Sequence, residues 1–344
     1  MGQLDDPAAA GVATWRAPVG PALVDPQGRA IRYLRLSVTD RCNLRCRYCM
    51  PAAGLDWVPR REILSWEELE RLVRICTRLG VGKVRITGGE PFVRRGLLSF
   101  LAAIRPLPGL ETLAITTNGV GAAPHARRLA AIGVDAVNLS LDALDPAVFR
   151  RMSRRDRLEE ALASLEALLA AGLRVKVNAV VVAGMNEGQI LPLAELARER
   201  PLEVRFIEAM PFDGGGRRHA GWPAERILAH LAAHLPSLEP VAAAGTARTF
   251  RVAGFAGRVG VIAGESRSFC ATCDRLRITA RGAVKTCLYG EPSVELRPLL
   301  RAGADDAAVA AALERAVAGR HPDGFAAEAA RSRRLAVSMA AIGG

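Results

Sequence analysis

Three cysteines crowded at one point of the chain set the chemistry to be explained. Cys42, Cys46 and Cys49 form a C-x3-C-x2-C array inside Thr39-Asp40-Arg41-Cys42-Asn43-Leu44-Arg45-Cys46-Arg47-Tyr48-Cys49-Met50-Pro51. Structural zinc sites bring two pairs of ligands, and disulfide scaffolds an even cysteine count. Three thiolates on one loop suit an iron–sulfur cube held at three corners, with a fourth iron open to a small molecule. A second set repeats the pattern, Cys270, Cys273 and Cys287 standing as C-x2-C-x13-C. A zinc ribbon there would need a fourth ligand, and the nearest downstream candidate is His321. Zinc stays open for either set alone; the two together read as two clusters, each with an open iron.

These residues need a frame. Before the first cysteines, Leu34, Leu36 and Val38 alternate with Arg35, Ser37 and Thr39, the signature of a strand. Ser65 and Glu68 then form a capping box for a helix with Leu69, Leu72, Val73, Cys76 and Leu79 on one face, ended by Gly80. Cys76 therefore reads as a core residue. The strand–helix unit recurs with strands at 83–87, 112–116, 134–141, 173–181 and 203–209. One of the helices is expected to be capped by Asp156 and Glu159, with Leu158, Leu162, Leu165 and Leu169 on its face. Six such units predict an α/β fold, a partial (βα)6 TIM-type barrel with its site at the C-terminal strand ends. Those ends read Thr39-Asp40, Thr87-Gly88-Gly89-Glu90, Thr116-Thr117-Asn118, Ser140-Leu141-Asp142 and Glu208-Ala209-Met210. Further on, 248–253, 258–263, 276–279 and 284–287 read as antiparallel strands joined by glycine turns, followed by a helix over 305–318. The predicted organisation is a loose extension over 1–30, a barrel over 31–243, and a smaller antiparallel β-plus-helix region over 244–344.

The 344 residues are half hydrophobic, enough for a large core, and no run approaches the ~20 apolar residues that span a bilayer. The first 19 residues carry Asp5 and Asp6 and no apolar h-region, so no signal peptide is expected. Cysteines grouped three, one and three argue for metal ligation in a reducing cytoplasm. A net charge of +12 implies an anionic partner, nucleic acid or a nucleoside triphosphate. Arginine so outnumbers lysine, however, that the charge reads chiefly as compositional bias. Position says more. Arg35, Lys83, Arg85 and Lys176 alternate with apolar strand residues and so face inward, and Arg275 and Arg277 follow Cys273. Buried cations need internal carboxylates or an anionic ligand.

C-x3-C-x2-C with Tyr48 before the third cysteine resembles the radical S-adenosylmethionine signature. With Leu36 to Cys42, Arg85-Ile86-Thr87-Gly88-Gly89-Glu90-Pro91, Thr116-Thr117-Asn118-Gly119, Asn138 to Asp142, Arg205 to Met210, Phe269-Cys270-x2-Cys273 and the terminal Gly343-Gly344, the chain from Ile31 onward is similar to the GTP 3′,8-cyclases of molybdenum cofactor biosynthesis. That resemblance implies two [4Fe–4S] clusters, on Cys42, Cys46 and Cys49 and on Cys270, Cys273 and Cys287. It implies S-adenosylmethionine contacts from Tyr48, Gly89, Ser140 and Met210. It implies GTP contacts from Arg35, Arg85, Thr116, Lys176, Arg275, Leu276 and Arg277, with Lys83 and Arg205 as further candidates. Gly343 and Gly344 would reach into the site. The reaction implied is removal of the ribose 3′ hydrogen of GTP by a 5′-deoxyadenosyl radical and attack of the carbon radical on guanine C8. A protein reductant and the next enzyme of the molybdopterin pathway would be partners, nucleic acid and membrane would not, and a homodimer is left open. Another radical enzyme, acting on RNA or a peptide, is the competing reading, and a non-enzymatic zinc protein the other.

Overall fold

In the computed structural model, which describes residues 23–214, 220–241, 245–332 and 337–343, alternating side chains decide the architecture. The chain runs β1 (Tyr33–Ser37), α1 (Trp66–Arg78), β2 (Lys83–Thr87), α2 (Leu97–Ile104), β3 (Thr112–Thr117), α3 (Ala126–Ile132) and β4 (Ala136–Ser140). Two helices, α4 (Pro146–Ser153) and α5 (Leu158–Ala170), precede β5 (Arg174–Val181), α6 (Ile190–Glu199), β6 (Glu203–Glu208) and α7 (Ala224–His234). Consecutive strands from β1 to β6 pair in parallel. Their apolar positions, among them Leu34, Ile86, Ile115, Leu139, Val177 and Phe206, are wholly enclosed, and each such burial stabilises by roughly 1.5–3 kcal/mol. The polar positions between them face the other way, into the curve of the sheet. The expected six-unit barrel is present.

The C-terminal part corrects the expectation of a purely antiparallel region. It contains β7 (Leu238–Pro240), β8 (Ala247–Val252), β9 (Arg258–Ile262), β10 (Arg275–Ile278), β11 (Ala283–Lys285) and β12 (Val294–Glu295). Helices α8 (Leu296–Arg301), α9 (Asp306–Ala318), α10 (Gly324–Ala329) and α11 (Met339–Ile342) complete it. β8 and β11 are antiparallel to their hairpin partners, but β9 lies parallel to β6 and β10 parallel to β1. The sheet order is β12-β11-β10-β1-β2-β3-β4-β5-β6-β9-β8-β7. Eight parallel strands therefore curve from β10 to β9 without closing. Glycine turns reveal a strand's hairpin partner, whereas its distant neighbour at a sheet edge leaves no local trace.

Three smaller corrections follow. Helix α5 begins after Arg157 with no side-chain cap, so Asp156 and Glu159 do not cap it, and its buried face is Leu158, Ala161, Leu165 and Leu168. Leu162 and Leu169 lie half-buried at its margin. Helix α4 was not expected, although Asp145 caps it and Pro146 opens it, the usual start signals. Of the supposedly loose extension, residues 1–22 lie outside the described residues, but 23–30 are docked. Leu23 is buried and donates its N–H to Leu79 O at 3.1 Å, and enclosed Asp25 pairs with Arg29 at 2.7 Å and Arg320 at 3.3 Å. The capping box of α1 forms as expected, Glu68 N donating to Ser65 Oγ and Ser65 N to Glu68 Oε2.

Candidate active site

The first cysteine loop leaves the C-terminal end of β1 and is clasped from two sides. On one, Arg45 N and Arg47 N donate to Ser153 O and Met152 O at the end of α4. Arg154, in left-handed conformation (φ 56), turns its guanidinium onto Arg45 O at 2.7 Å and Met50 O at 3.0 Å. On the other, Gly89 N donates to Thr39 O at 2.7 Å and Glu90 N to Arg41 O at 2.8 Å. A Cβ at Gly89 would sit 2.2 Å from Arg41 O and one at Gly88 2.7 Å from Thr39 O. The glycines are thus required first by the approach of the cysteine loop. Glu90 accepts from Asn118 N at 2.7 Å and Thr117 Oγ1 at 2.8 Å, while burial pushes its carboxyl up to about 7. Asn118 Nδ2 in turn lies 3.6 Å from Cys42 Sγ.

The loop opens onto a cavity of about 1540 Å³ inside the curved sheet. All six cysteines of the two sets line it. Because β10 is parallel to β1 and β11 antiparallel to β10, Cys270 and Cys273 before β10 and Cys287 after β11 lie at the N-terminal rim of the barrel and the first set at the C-terminal rim. The second set is fastened by Arg29, whose Nη1 donates to Cys270 O and Pro322 O, both at 2.7 Å. Burial pushes the first thiols up, Cys42 to about 11, Cys49 to about 12 and Cys46 well above the ordinary value, with the neighbouring thiols adding to the shift of Cys46 and Cys49. Burial also raises Cys270. Crowded buried thiols of this kind fit a bound cationic centre that takes them as thiolates. His321 lines the cavity too, but no group of three His, Cys, Asp or Glu among the described residues could hold a single metal ion. A cube differs in giving each thiolate its own iron.

Between the rims stand the cations. Tyr33, Lys83 and Arg275 share one register level, Arg35, Arg85 and Arg277 the next. Arg85 donates to Tyr33 Oη at 2.6 Å and Ile115 O at 3.0 Å, and Arg277 to Gly343 O at 3.1 Å. Burial, then Arg35 and Arg275, bring Arg277 down to about 9. Across the cavity, Lys176 Nζ and Arg205 Nε reach Glu203 at 2.8 Å and 2.7 Å. The chain has three lysines against 44 arginines. All three, Lys83, Lys176 and Lys285, lie on strands of this sheet, and burial lowers each of them. Thr87 Oγ1, Thr116 Oγ1, Asn138 Oδ1 and Asn178 Oδ1 are buried without a hydrogen-bond partner among the described residues and line the same space.

Every residue expected at the site lines the cavity except Leu276 and the tail glycines. Leu276 is wholly enclosed in the apolar core, on the other face of β10 from Arg275 and Arg277, so only its backbone is left to serve a ligand. Gly344 lies outside the described residues; Gly343 does reach the barrel, where a Cβ would meet Ser37 at 2.9 Å. The tail is anchored by Ser338 Oγ, which donates to Cys49 O at 2.6 Å. Sequence reasoning placed Asp142 at the rim without a role, where it accepts from Tyr48 Oη at 2.8 Å, and missed Glu203 and Tyr33. Strand alternation places Glu203 and Tyr33 inward beside Arg205 and Arg35, a signal that could have found both.

Residues 36–197 match the Radical SAM superfamily and residues 202–325 match Molybdenum Cofactor Synthesis C. A GTP 3′,8-cyclase of Heliobacterium modesticaldum is 44% identical over 301 residues, covering 86% of this chain and 92% of its own length. That of Geobacter sulfurreducens is 43% identical over 331 residues, covering 94% and 99%. Among solved structures, SuiB of Streptococcus suis bound to S-adenosylmethionine superimposes with a TM-score of 0.56 at 16% identity, over 75% of this chain and 60% of SuiB. The chain thus spans 60% of SuiB's length, and the likeness is one of fold.

Proposed function

This chain belongs to the GTP 3′,8-cyclase family of the Radical SAM superfamily, and on that premise we propose how its cavity divides the work. The protein is a radical S-adenosylmethionine cyclase of molybdenum cofactor biosynthesis, converting GTP to 3′,8-cyclo-7,8-dihydroguanosine triphosphate. When bound, the iron–sulfur cluster and S-adenosylmethionine supply one-electron reduction and a carbon-centred radical. Cys42, Cys46 and Cys49 hold that cluster at the C-terminal rim. Tyr48, Gly89, Ser140 and Met210 seat S-adenosylmethionine beside it, and Asp142 fixes the Tyr48 ring through its hydroxyl. Cys270, Cys273 and Cys287, at the opposite rim, would hold a second [4Fe–4S] cluster, which would supply a binding site for the guanine.

Arg35, Arg85, Thr116, Lys176, Arg275 and Arg277, with Lys83 and Arg205, hold GTP between the rims. Leu276 contributes only its backbone. The α11 tail brings Gly343 against Ser37 and Thr87. An external reductant supplies the electron and the next pathway enzyme takes the product.

One observation carries the reading: two thiol triads face each other through one cavity, with a wall of cations from β10, β1 and β2 between them. The test is anaerobic cluster reconstitution, then GTP, S-adenosylmethionine and reductant, with mass analysis of the product. A GTP-derived cyclic nucleotide is expected; none from an iron-loaded, reduced sample overturns the reading. Cys287→Ala is expected to keep the first cluster's spectrum and abolish GTP conversion, and retained conversion refutes the second cluster.

A further inference from the structure

We propose that Tyr33 is a positioning residue for the anionic substrate: in the ligand-free protein its phenol oxygen holds the seat between Arg85 and Arg35, and it takes a proton when triphosphate enters. The inference rests on the reading of the cavity as the GTP site. Tyr33 is the first inward residue of β1, level with Arg275 on β10 and Lys83 on β2. Its oxygen lies 2.6 Å from Arg85 Nε and 3.5 Å from Arg35 Nη1. Lys83 Nζ stands 4.7 Å from the ring centre and the Arg275 guanidinium 5.5 Å. The ring is buried.

Among the described residues, both side chains bonded to this oxygen, Arg85 and Arg35, donate to it. A neutral phenol there can accept from Arg85, but its own proton meets only further donors; a phenolate accepts from all of them. The charged groups around it are Arg35 on β1, Lys83 and Arg85 on β2, and Arg275 on β10, with Arg277 one level on; Asp274, beside Arg275, is the acid on that side and acts on Lys83. Burial alone would push the phenol up, but Arg85, Arg35, Arg275 and Lys83 outweigh it and bring it down to about 6. The phenolate is thus a counter-charge shared by Arg85, Arg35, Arg275 and Lys83. A triphosphate brings several negative charges to the same cations, and like charge then favours the neutral phenol. The step balances as phenolate plus one solvent proton giving phenol, so triphosphate affinity must fall as pH rises above the free value.

The chain has only three tyrosines, and burial pushes Tyr48 and Tyr289 upward. A tyrosinate absorption band near neutral pH therefore belongs to Tyr33. The experiment takes the cluster-loaded enzyme without reductant and records ultraviolet difference spectra, wild type minus Tyr33→Phe, against pH. Inorganic triphosphate and, separately, GTP are then titrated, with calorimetry in buffers of different ionisation heat to count protons. A band that appears with a midpoint near pH 6, and is discharged by saturating triphosphate, is expected. At pH about 7.5 the wild type should take up about one proton more than Tyr33→Phe, and the ratio of its Kd to that of the variant should rise up to about tenfold per pH unit above about 7. Absence of the band, its survival with triphosphate bound, or equal proton counts overturns the proposal. If Tyr33→Phe loses its clusters, the wild-type band and its response to ligand still decide. Should inorganic triphosphate discharge the band while GTP does not bind, the Tyr33 seat stands and the GTP reading falls. Should GTP bind with the band unchanged, the outcome is the reverse.

Discussion

Two walls of one cavity carry cations, and only one of them carries the counter-charge as well. On the β5–β6 wall, Lys176 and Arg205 share Glu203. On the β10–β1–β2 wall, Lys83, Arg85, Arg275 and Arg277 form no ion pair with a carboxylate among the described residues, Asp274 acting on Lys83 without contact, and Tyr33 stands among them instead. A cation neutralised by its own protein is a structural element with some reach towards a ligand. Cations crowded together without an ion-paired acid raise the free energy of the empty site and release it to whatever anion enters. The difference points to the second wall as the stronger anion seat and to the first as one that reaches the ligand but is chiefly held in shape by Glu203.

The largest expected effect lies on the binding wall. Arg277→Met is expected to lower kcat/KM for GTP about a thousandfold, about 4 kcal/mol of lost transition-state binding, because a dry, charge-assisted contact disappears. Folding stability should stay level or rise, since the variant also removes repulsion from Arg35 and Arg275. A loss below about fivefold, or a clear drop in the melting temperature, would show that this wall is structural after all.

The other wall should behave in the opposite sense. Glu203→Gln leaves Lys176 and Arg205 facing each other and is expected to cost about 3 kcal/mol of folding stability, read by chemical denaturation. Adding Arg205→Met should restore most of it. Burial pushes Glu203 up, but Arg205 and Lys176 prevail and hold it down to about 2. Its stabilising contribution is therefore present above the ordinary carboxylate value of 4.5 and is lost as pH falls towards about 2. Wild type and Glu203→Gln should converge in stability across that window; parallel curves would refute the pairing.

The inward-facing half of this contrast was legible in the residue string. Alternation in Leu34-Arg35-Leu36 and Val175-Lys176-Val177 turns the cations inward on both walls, and the cysteine spacings mark both rims. What stayed illegible is long-range. That β10 joins β1 side by side, setting Arg275 and Arg277 level with Tyr33 and Arg35, depends on a pairing across more than 200 residues that no local period encodes. The same ignorance hid that the second cysteine set faces the first from the opposite rim. Glu203 was legible but unread, since a glutamate opening a strand usually marks its solvated end. Helix α4 carries plain start signals in Asp145-Pro146, yet it is too short to show a convincing period.

A smaller effect separates the walls by pH. Burial, then Arg205, bring Lys176 down to about 8, with Glu203 pulling the other way. Between about 2 and about 8 both partners of the pair are charged. Above about 8 the lysine loses its proton, Arg205 alone answers Glu203, and the wall turns less positive. The Lys176 titration by itself is therefore expected to raise KM for GTP up to about tenfold from pH 7 to 9, about 1.4 kcal/mol, on top of the Tyr33-linked rise, and is read as the ratio of wild type to Lys176→Arg. Lys176→Arg, which keeps its charge, should remove that limb and leave the lower, Tyr33-linked limb in place. An unchanged upper limb in the variant would assign it to another group.

The smallest expected effect is made outside both walls and tests whether stability and binding separate at all. Ser65 caps α1 through its hydroxyl, which accepts from Glu68 N at 3.1 Å. Ser65→Ala removes that acceptor and the reciprocal geometry, and should cost about 1 kcal/mol of stability. Helix α1 packs against α2 and α9 and none of its residues lines the cavity, so KM for GTP, cluster content and the tyrosinate band should all be those of the wild type. If this mild loss at a distant cap raised KM as Arg277→Met does, the binding wall would be responding to general loosening of the barrel rather than to a missing charge. A flat KM beside a lowered melting temperature leaves charge as the property that distinguishes the two walls.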